Sequence, residues 1–223
     1  MSRQTVVFDL DGTLIDTAPD LILATNHVLE NAGYQPVSPD FIRPYISYGT
    51  RVMITEGVKH QGREISSAHL DELFSELITF YSANISVASR PFPGLIDVLD
   101  TLRARGTTIA ICTNKLEAMA RLLMEQLKLT SYFTVITGRD TFPICKPDPE
   151  HLFGAIRLAD GAPRHSVMVG DSTTDHATAK AAGIPIIGVT FGYTDIPMTE
   201  LDCDATISHY DDFLPALDQI MPT

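Results

Sequence analysis

From residue 95 onward, short apolar runs rich in β-branched residues alternate with longer stretches of helical spacing. The runs are Thr107–Cys112, Phe133–Thr137, Val167–Val169, Ile186–Val189 and Ala205–Ile207. Between the first and last of them lie helical patterns over about 116–127, 149–159 and Thr173–Ala182. A stripe of Leu95, Val98, Leu99 and Leu102 precedes them, and Asp212–Met221 follows them. Strands alternating with helices in this way predict βαβ units and a parallel sheet. One further run, Thr5–Phe8, has the length and composition of a strand covered on both faces.

The segment between that first strand and residue 86 has another character. Thr17-Ala18-Pro19-Asp20 reads as a helix start, with Thr17 as N-cap and Pro19 in the first turn. Leu21, Ala24, Val28 and Leu29 continue at helical spacing to a stop at Asn31-Ala32-Gly33. After a Pro-rich stretch, helical patterns return over Arg51–Val58 and Ser67–Ala83. The second has Ser66 or Ser67 as cap and Leu70, Leu73, Phe74, Leu77, Ile78 and Tyr81 on its apolar face. No strand is expected between residues 17 and 85. The expected fold is therefore α/β: a Rossmann-like parallel-sheet core formed by residues 1–16 and 86–223, with a small all-helical domain over 17–85.

In open parallel sheets the working residues lie outside the carboxyl ends of the strands. The first strand ends in Asp9-Leu10-Asp11-Gly12-Thr13, the second in Thr113-Asn114-Lys115, and the fourth in Gly170-Asp171-Ser172 with Asp175 a turn later. A loop after the third strand carries Lys146-Pro147-Asp148. Asp9 and Asp11, two apart, point into one space and repel each other unless a cation or shared proton intervenes. Oxygen ligands from Asp9 and Asp171 suit a hard cation such as Mg²⁺. A carboxylate can attack phosphorus, and Lys146, Thr113 and backbone N–H groups near Asp11 and Asn114 can cradle phosphoryl oxygens. Asp11 can protonate a leaving alkoxide and later activate water.

The remaining features narrow the field. The net charge of −12 disfavours nucleic acid and anionic membranes as partners. No apolar run approaches the ~18 residues of a membrane-spanning helix. The first strand begins almost at once, with no room for a signal peptide. The three cysteines, Cys112, Cys145 and Cys203, are widely spaced and suit a reducing compartment, so the expected address is the cytoplasm. Neither a P-loop nor a G-x-G-x-x-G occurs, and the histidines show no zinc-type grouping. His176 reads as a solvated or capping residue, Cys112 and Cys145 as small core residues, and Phe191-Gly192-Tyr193 as a loop-shaping segment.

With these four motifs in this order, the sequence resembles the haloacid dehalogenase superfamily in its phosphatase branch, over essentially its whole length. Asp9-Leu10-Asp11-Gly12-Thr13 matches the family's DxDGT and Cys112-Thr113-Asn114 its strand-end Ser/Thr. Lys146-Pro147-Asp148-Pro149 matches the lysine motif and Gly170–Asp175 the acidic GDSxxD motif. The resemblance implies Asp9 as nucleophile and metal ligand, and Asp11 as general acid/base with its backbone carbonyl on Mg²⁺. It implies Thr113 and Asn114 on phosphoryl oxygens, Lys146 as charge neutraliser and Asp171 as direct metal ligand. Asp175 would act through water or by orienting Lys146, and residues 17–85 would form a C1 cap.

A closer resemblance, to bacterial phosphoglycolate phosphatases, rests on Asp16–Leu21, Arg90–Gly94 and Gly188–Tyr193. It implies hydrolysis of 2-phosphoglycolate, a small phosphorylated metabolite, by a monomer or homodimer. The alternative is another phosphotransferase of the superfamily, such as a pyrophosphatase, sugar-phosphate phosphatase or phosphomutase. Dehalogenation is disfavoured because Asp11 and Asp171 are both present, and loss of catalysis because no motif is eroded. Among the cap cations, Arg51 is the one expected to take a substrate carboxylate.

Overall fold

The structure, a computed structural model, describes residues 4–194 and 196–221. Six strands form one parallel sheet: β1 (Thr5–Phe8), β4 (Thr108–Cys112), β5 (Val135–Thr137), β6 (Ser166–Gly170), β7 (Ile186–Val189) and β8 (Ala205–Ile207), in the order β5-β4-β1-β6-β7-β8. Two-residue strands β2 (Ile15–Asp16) and β3 (Arg90–Pro91) flank the helical segment. The architecture is the Rossmann-type α/β fold expected from the alternation.

Every residue of β1, β6 and β7 is buried. On one face Val7, Ala110, Met168 and Ile186 pack with Leu152, Ala155 and Ile156 of α7 (Pro149–Leu158) and Ala179 of α8 (Thr173–Ala182). On the other, Phe8 stacks on Phe213 of α9 (Phe213–Ile220) with ring centroids 5.6 Å apart. Apolar residues follow one another along these strands because each face has its own helical layer. The stripe Leu95, Val98, Leu99 and Leu102 is buried as the inward face of α5 (Leu95–Ala104).

The chain divides into two compact units, Met1–Asp16 with Pro91–Thr223, and Thr17–Arg90. The second consists of α1 (Ala18–Asn31), α2 (Pro39–Ile42), α3 (Thr50–Lys59) and α4 (Ser67–Ala83), with a 3₁₀ turn over Arg43–Tyr48. Leu29, Met53, Ile54, Leu77 and Tyr81 are buried there. A Cβ on Gly57 of α3 would stand 2.9 Å from the Leu29 side chain, so the glycine permits close approach of the two helices. Residues 86–90, expected with the sheet, belong to this unit. The buried Asp20 carboxylate accepts from the backbone N–H of Ala88 and Ser89 and from the Ser89 hydroxyl. Ser66 caps α4 by accepting from His69 N, whereas Thr17 makes no side-chain capping bond to α1. Among the described residues no helix is long and apolar enough to cross a membrane.

Phe8 is fully buried between β1 and α9. Phe8→Ala is expected to cost about 3–5 kcal/mol, read as a lowered urea midpoint.

Candidate active site

The sheet register gathers the strand ends. Phe8 pairs with Ile111 on one side and Val169 on the other, so Asp9, Thr113 and Asp171 leave the sheet at one edge. The chain turns away on opposite sides of β1, which makes this the topological switch point of the sheet. Gly12, at φ +85°, carries the turn after Asp11, and its N–H donates to Ile15 O at 3.0 Å.

At the centre lies Lys146. Its ammonium is 2.8 Å from Asp9 Oδ1 and 2.5 Å from Asp175 Oδ1, with all three residues buried. Apart from this ammonium, the buried Asp9 Oδ1 has no hydrogen-bond donor among the described residues. Asp175 is fixed by a capping box at the start of α8: Ser172 Oγ accepts from Asp175 N, and Asp175 Oδ2 accepts from Ser172 N and Oγ. The Lys146 backbone is held too, its N–H donating to His151 Nδ1 at 3.1 Å and its carbonyl accepting from Asn114 Nδ2 at 3.0 Å.

Asp171, only 1% exposed, accepts from Thr13 Oγ1 at 3.0 Å and from Tyr193 N at 2.8 Å. It has no ion-pair partner among the described residues. Ligand oxygens of Asp9, Asp171 and Asp175 all lie within 4.8 Å of one another. Burial is the largest influence on Asp9 and, against the attraction of Lys146, raises its pKa from 3.8 to about 6. Burial, then Asp175 and Asp9, push Asp171 well above the usual carboxylate range. Burial pulls Lys146 down, but Asp175 and Asp9 outweigh it and its pKa is raised. Three buried carboxylates thus face one ammonium. Three buried carboxylates sharing one ammonium, an Asp171 with no ion-pair partner among the described residues and an all-oxygen donor set fit a hard divalent cation.

Lys115 was not singled out from the sequence beyond its place after Thr113-Asn114. Its ammonium lies 3.0 and 3.1 Å from the two oxygens of Asp11. Thr113 Oγ1 accepts from Lys115 N, which leaves the hydroxyl proton for another partner. The Asn114 amide nitrogen is engaged by the lysine loop. His151, also not anticipated, is buried; burial first and the Lys146 charge second lower its pKa to about 4, so it is a neutral acceptor for Lys146 N. Cys112 is a core residue, its thiol pushed up to about 12 chiefly by burial. His176 pairs with Asp202 at 2.7 Å. Tyr193 supplies a backbone N–H to Asp171 and a hydroxyl to Asp16 at 2.6 Å, a more specific task than loop shaping. Arg51 belongs to the helical unit, where its guanidinium pairs with Asp71 at 2.6 Å and lies over the Phe74 ring at 4.1 Å.

The charge surplus has a consequence for stability. Asp9 takes up a proton at about pH 6 when folded and at 3.8 when unfolded, so the folded state binds more protons between these values. Stability of the chelator-treated protein should therefore fall as pH rises through that window, by on the order of 3 kcal/mol from this group. Urea unfolding of wild type minus that of Asp9→Asn isolates the effect. A flat difference from pH 4 to pH 7 would show that Asp9 is not destabilised by burial.

The haloacid dehalogenase-like hydrolase family model matches residues 6–189. A phosphoglycolate phosphatase of Agrobacterium fabrum is 46% identical over 95% of this chain and 91% of its own. One of Mesorhizobium japonicum is 47% identical over 95% and 93%. The crystal structure of a "predicted phosphoglycolate phosphatase" from Haemophilus somnus superposes with a TM-score of 0.89 at 26% identity, over 96% of this chain and 98% of that one. Strand order, motif order and these similarities agree: the chain belongs to the haloacid dehalogenase-like hydrolase family.

Proposed function

We propose that this hydrolase is an Mg²⁺-dependent phosphomonoesterase that converts 2-phosphoglycolate and water to glycolate and phosphate through an aspartyl-phosphate. The observation that carries the chemistry is Asp9 at the end of the central strand, with Lys146 2.8 Å away and Asp171 buried beside it. The substrate is suggested by the names of relatives 46% and 47% identical along nearly the whole chain. A cytoplasmic address is part of the proposal and is supported by the three cysteines, all free.

In this reading a carboxylate oxygen of Asp9 attacks phosphorus and the bond from phosphorus to the glycolate oxygen breaks. Asp11 gives its proton to that oxygen as glycolate leaves. Asp11 then takes a proton from water as the water oxygen attacks phosphorus. The bond from phosphorus to Asp9 breaks, releasing phosphate and restoring both aspartates. Lys146, the free proton of Thr113 and the backbone N–H of Asn114 meet the phosphoryl oxygens, whose charge must be balanced throughout transfer. Mg²⁺, held by Asp9, Asp171 and the backbone carbonyl of Asp11, would supply further neutralisation of that charge. Asp175 acts by orienting Lys146, since its oxygens are engaged by Lys146 and Ser172. The helical unit serves as the cap that excludes water during transfer.

Phosphate release from 2-phosphoglycolate, hexose phosphates, nucleotides and pyrophosphate, with and without Mg²⁺, tests the proposal. A dominant kcat/KM for 2-phosphoglycolate that disappears with EDTA is expected; dominance of another phosphoester would discard the substrate and keep the chemistry. Asp9→Asn should lower kcat by at least ~10³-fold with the fold intact.

A Cβ on Gly192 would overlap Asp171. Gly192→Ala should therefore raise the Mg²⁺ concentration for half-maximal activity by roughly 10-fold or more. An unchanged Mg²⁺ titration would remove Asp171 from the cation site.

A further inference from the structure

Lys115 is left without a task by the mechanism above. Its backbone is pinned on both sides: the N–H donates to Thr113 Oγ1 at 3.2 Å, and the carbonyl accepts from Arg139 N at 3.0 Å. Gly138 lies so close behind this turn that a Cβ there would overlap the Glu117 backbone and stand 2.7 Å from Lys115 O. The root of the Lys115 side chain is thereby fixed. Its side chain is 7% exposed and directed at Asp11, whose side chain is 19% exposed. The pair thus sits nearer solvent than Asp171 and Asp175.

We propose that Lys115 determines specificity for the acid end of the substrate. In this assignment its ammonium receives the carboxylate of a short phosphorylated hydroxy acid, which takes the place of Asp11 as its ionic partner. The inference rests on the reading of Asp11 as the group that serves the ester oxygen. A group serving that oxygen must come within about 3 Å of it. An ammonium about 3 Å from Asp11 is then one short step from the ester oxygen. In an O–CH₂–COO⁻ unit, the carboxylate begins two covalent bonds, or ~2.5 Å, beyond that same oxygen. The ammonium and the substrate carboxylate therefore meet without displacement of the β4 loop.

The electrostatics point the same way. A doubly charged phosphate with a further carboxylate enters a site that already holds Asp9, Asp11, Asp171 and Asp175 in a chain of net charge −12. Lys146 is committed deep in the site between Asp9 and Asp175. Lys115 is the ammonium at the outer end, and a neutral alkyl phosphate offers it nothing in exchange for Asp11. Discrimination arises because only the acid supplies a carboxylate that can pair with this ammonium, while the neutral ester leaves it on Asp11.

The test compares 2-phosphoglycolate with 2-hydroxyethyl phosphate, in which a hydroxymethyl group replaces the carboxylate. The readout is the ratio of kcat/KM for the two substrates at saturating Mg²⁺. Loss of Lys115 alters Asp11 for both substrates alike, so a shared effect cancels in the ratio. Lys115→Met should lower the ratio by ~30-fold or more, chiefly through KM for 2-phosphoglycolate, and Lys115→Arg should restore most of it. Lys115→Gln, which keeps a donor toward Asp11, gives the same comparison if the methionine variant does not fold. Equal losses on both substrates, in an enzyme whose wild type prefers 2-phosphoglycolate, would make Lys115 a structural partner of Asp11 and overturn the assignment alone. A ratio that collapses in Arg51→Ala and stands in Lys115→Met would likewise overturn it, moving the carboxylate to the helical unit. A wild type that releases phosphate from other esters but not from 2-phosphoglycolate would overturn the functional reading and this inference together.

Discussion

The ion pair between Lys146 and its two carboxylates is the interaction on which the rest of the site depends. Removing a lone partner from a buried pair typically costs 3–5 kcal/mol, because an uncompensated charge stays behind. Here one ammonium serves Asp9 and Asp175, so the penalty would fall on both. The fold sustains this concentration of charge by fixing every participant from outside. Asp175 is locked into the first turn of α8 by Ser172. The Lys146 backbone is clamped between His151 and Asn114. Asp9 N is bonded to Val169 O, so the backbone of Asp9 is still part of the sheet. A site built on strand ends and helix starts keeps its geometry where one built on free loops would relax around its own repulsions.

The same rigidity explains the close backbone approaches. Gly12 and Gly192 both face the Asp171 carboxylate, and Gly170 faces Asp175, so a side chain at any of the three would displace an acidic residue. Glycine at these positions is a matter of room, and only Gly12 also needs the left-handed conformation. Asp171 consequently sits in a pocket of backbone with a hydroxyl and an N–H as donors and, among the described residues, no ion-pair partner. The pocket disfavours the bare carboxylate and favours it once a positive charge is supplied. This is the trade between stability and activity expected where charges are gathered for chemistry.

Much of this was legible in the sequence because it is written in local periods. Thr5–Phe8 and Ile186–Val189 end where the apolar runs end, and α4 spans the residues its cap and its stripe indicate. Phe133 and Thr134, apolar and β-branched by composition, fall outside β5, because the 3₁₀ turn Thr130–Tyr132 delivers the chain to the sheet only at Val135. The Pro-rich stretch, to which the sequence reading assigns no element, contains α2, with Pro39 in its first turn and Ser38 Oγ accepting from Phe41 N. Tertiary partners were the part that could not be read. Lys115 looks like a solvated loop lysine until Gly138 and Arg139 are seen against its carbonyl. His151 looks like a surface histidine of α7 until its first turn is found under Lys146.

The two lysines show why the carboxylates an ammonium pairs with, rather than residue type, separate anchoring from recognition. Lys146 and Lys115 each touch an aspartate of the Asp9–Asp11 pair, at 2.8 and 3.0 Å. The deeper one is also bonded to a carboxylate that is itself held by the capping box. Its release would strand two buried charges, so Lys146 suits a step in which the charge to be met arrives between fixed groups. The outer one faces a carboxylate with solvent on one side, so an incoming anion can replace Asp11 while water and the substrate compensate what is uncovered. Exchange is inexpensive only where the partner left behind can be solvated. The β4 loop therefore brings the Thr113 hydroxyl and the Lys115 ammonium to one strand end, two residues apart on a backbone that Gly138 holds in place.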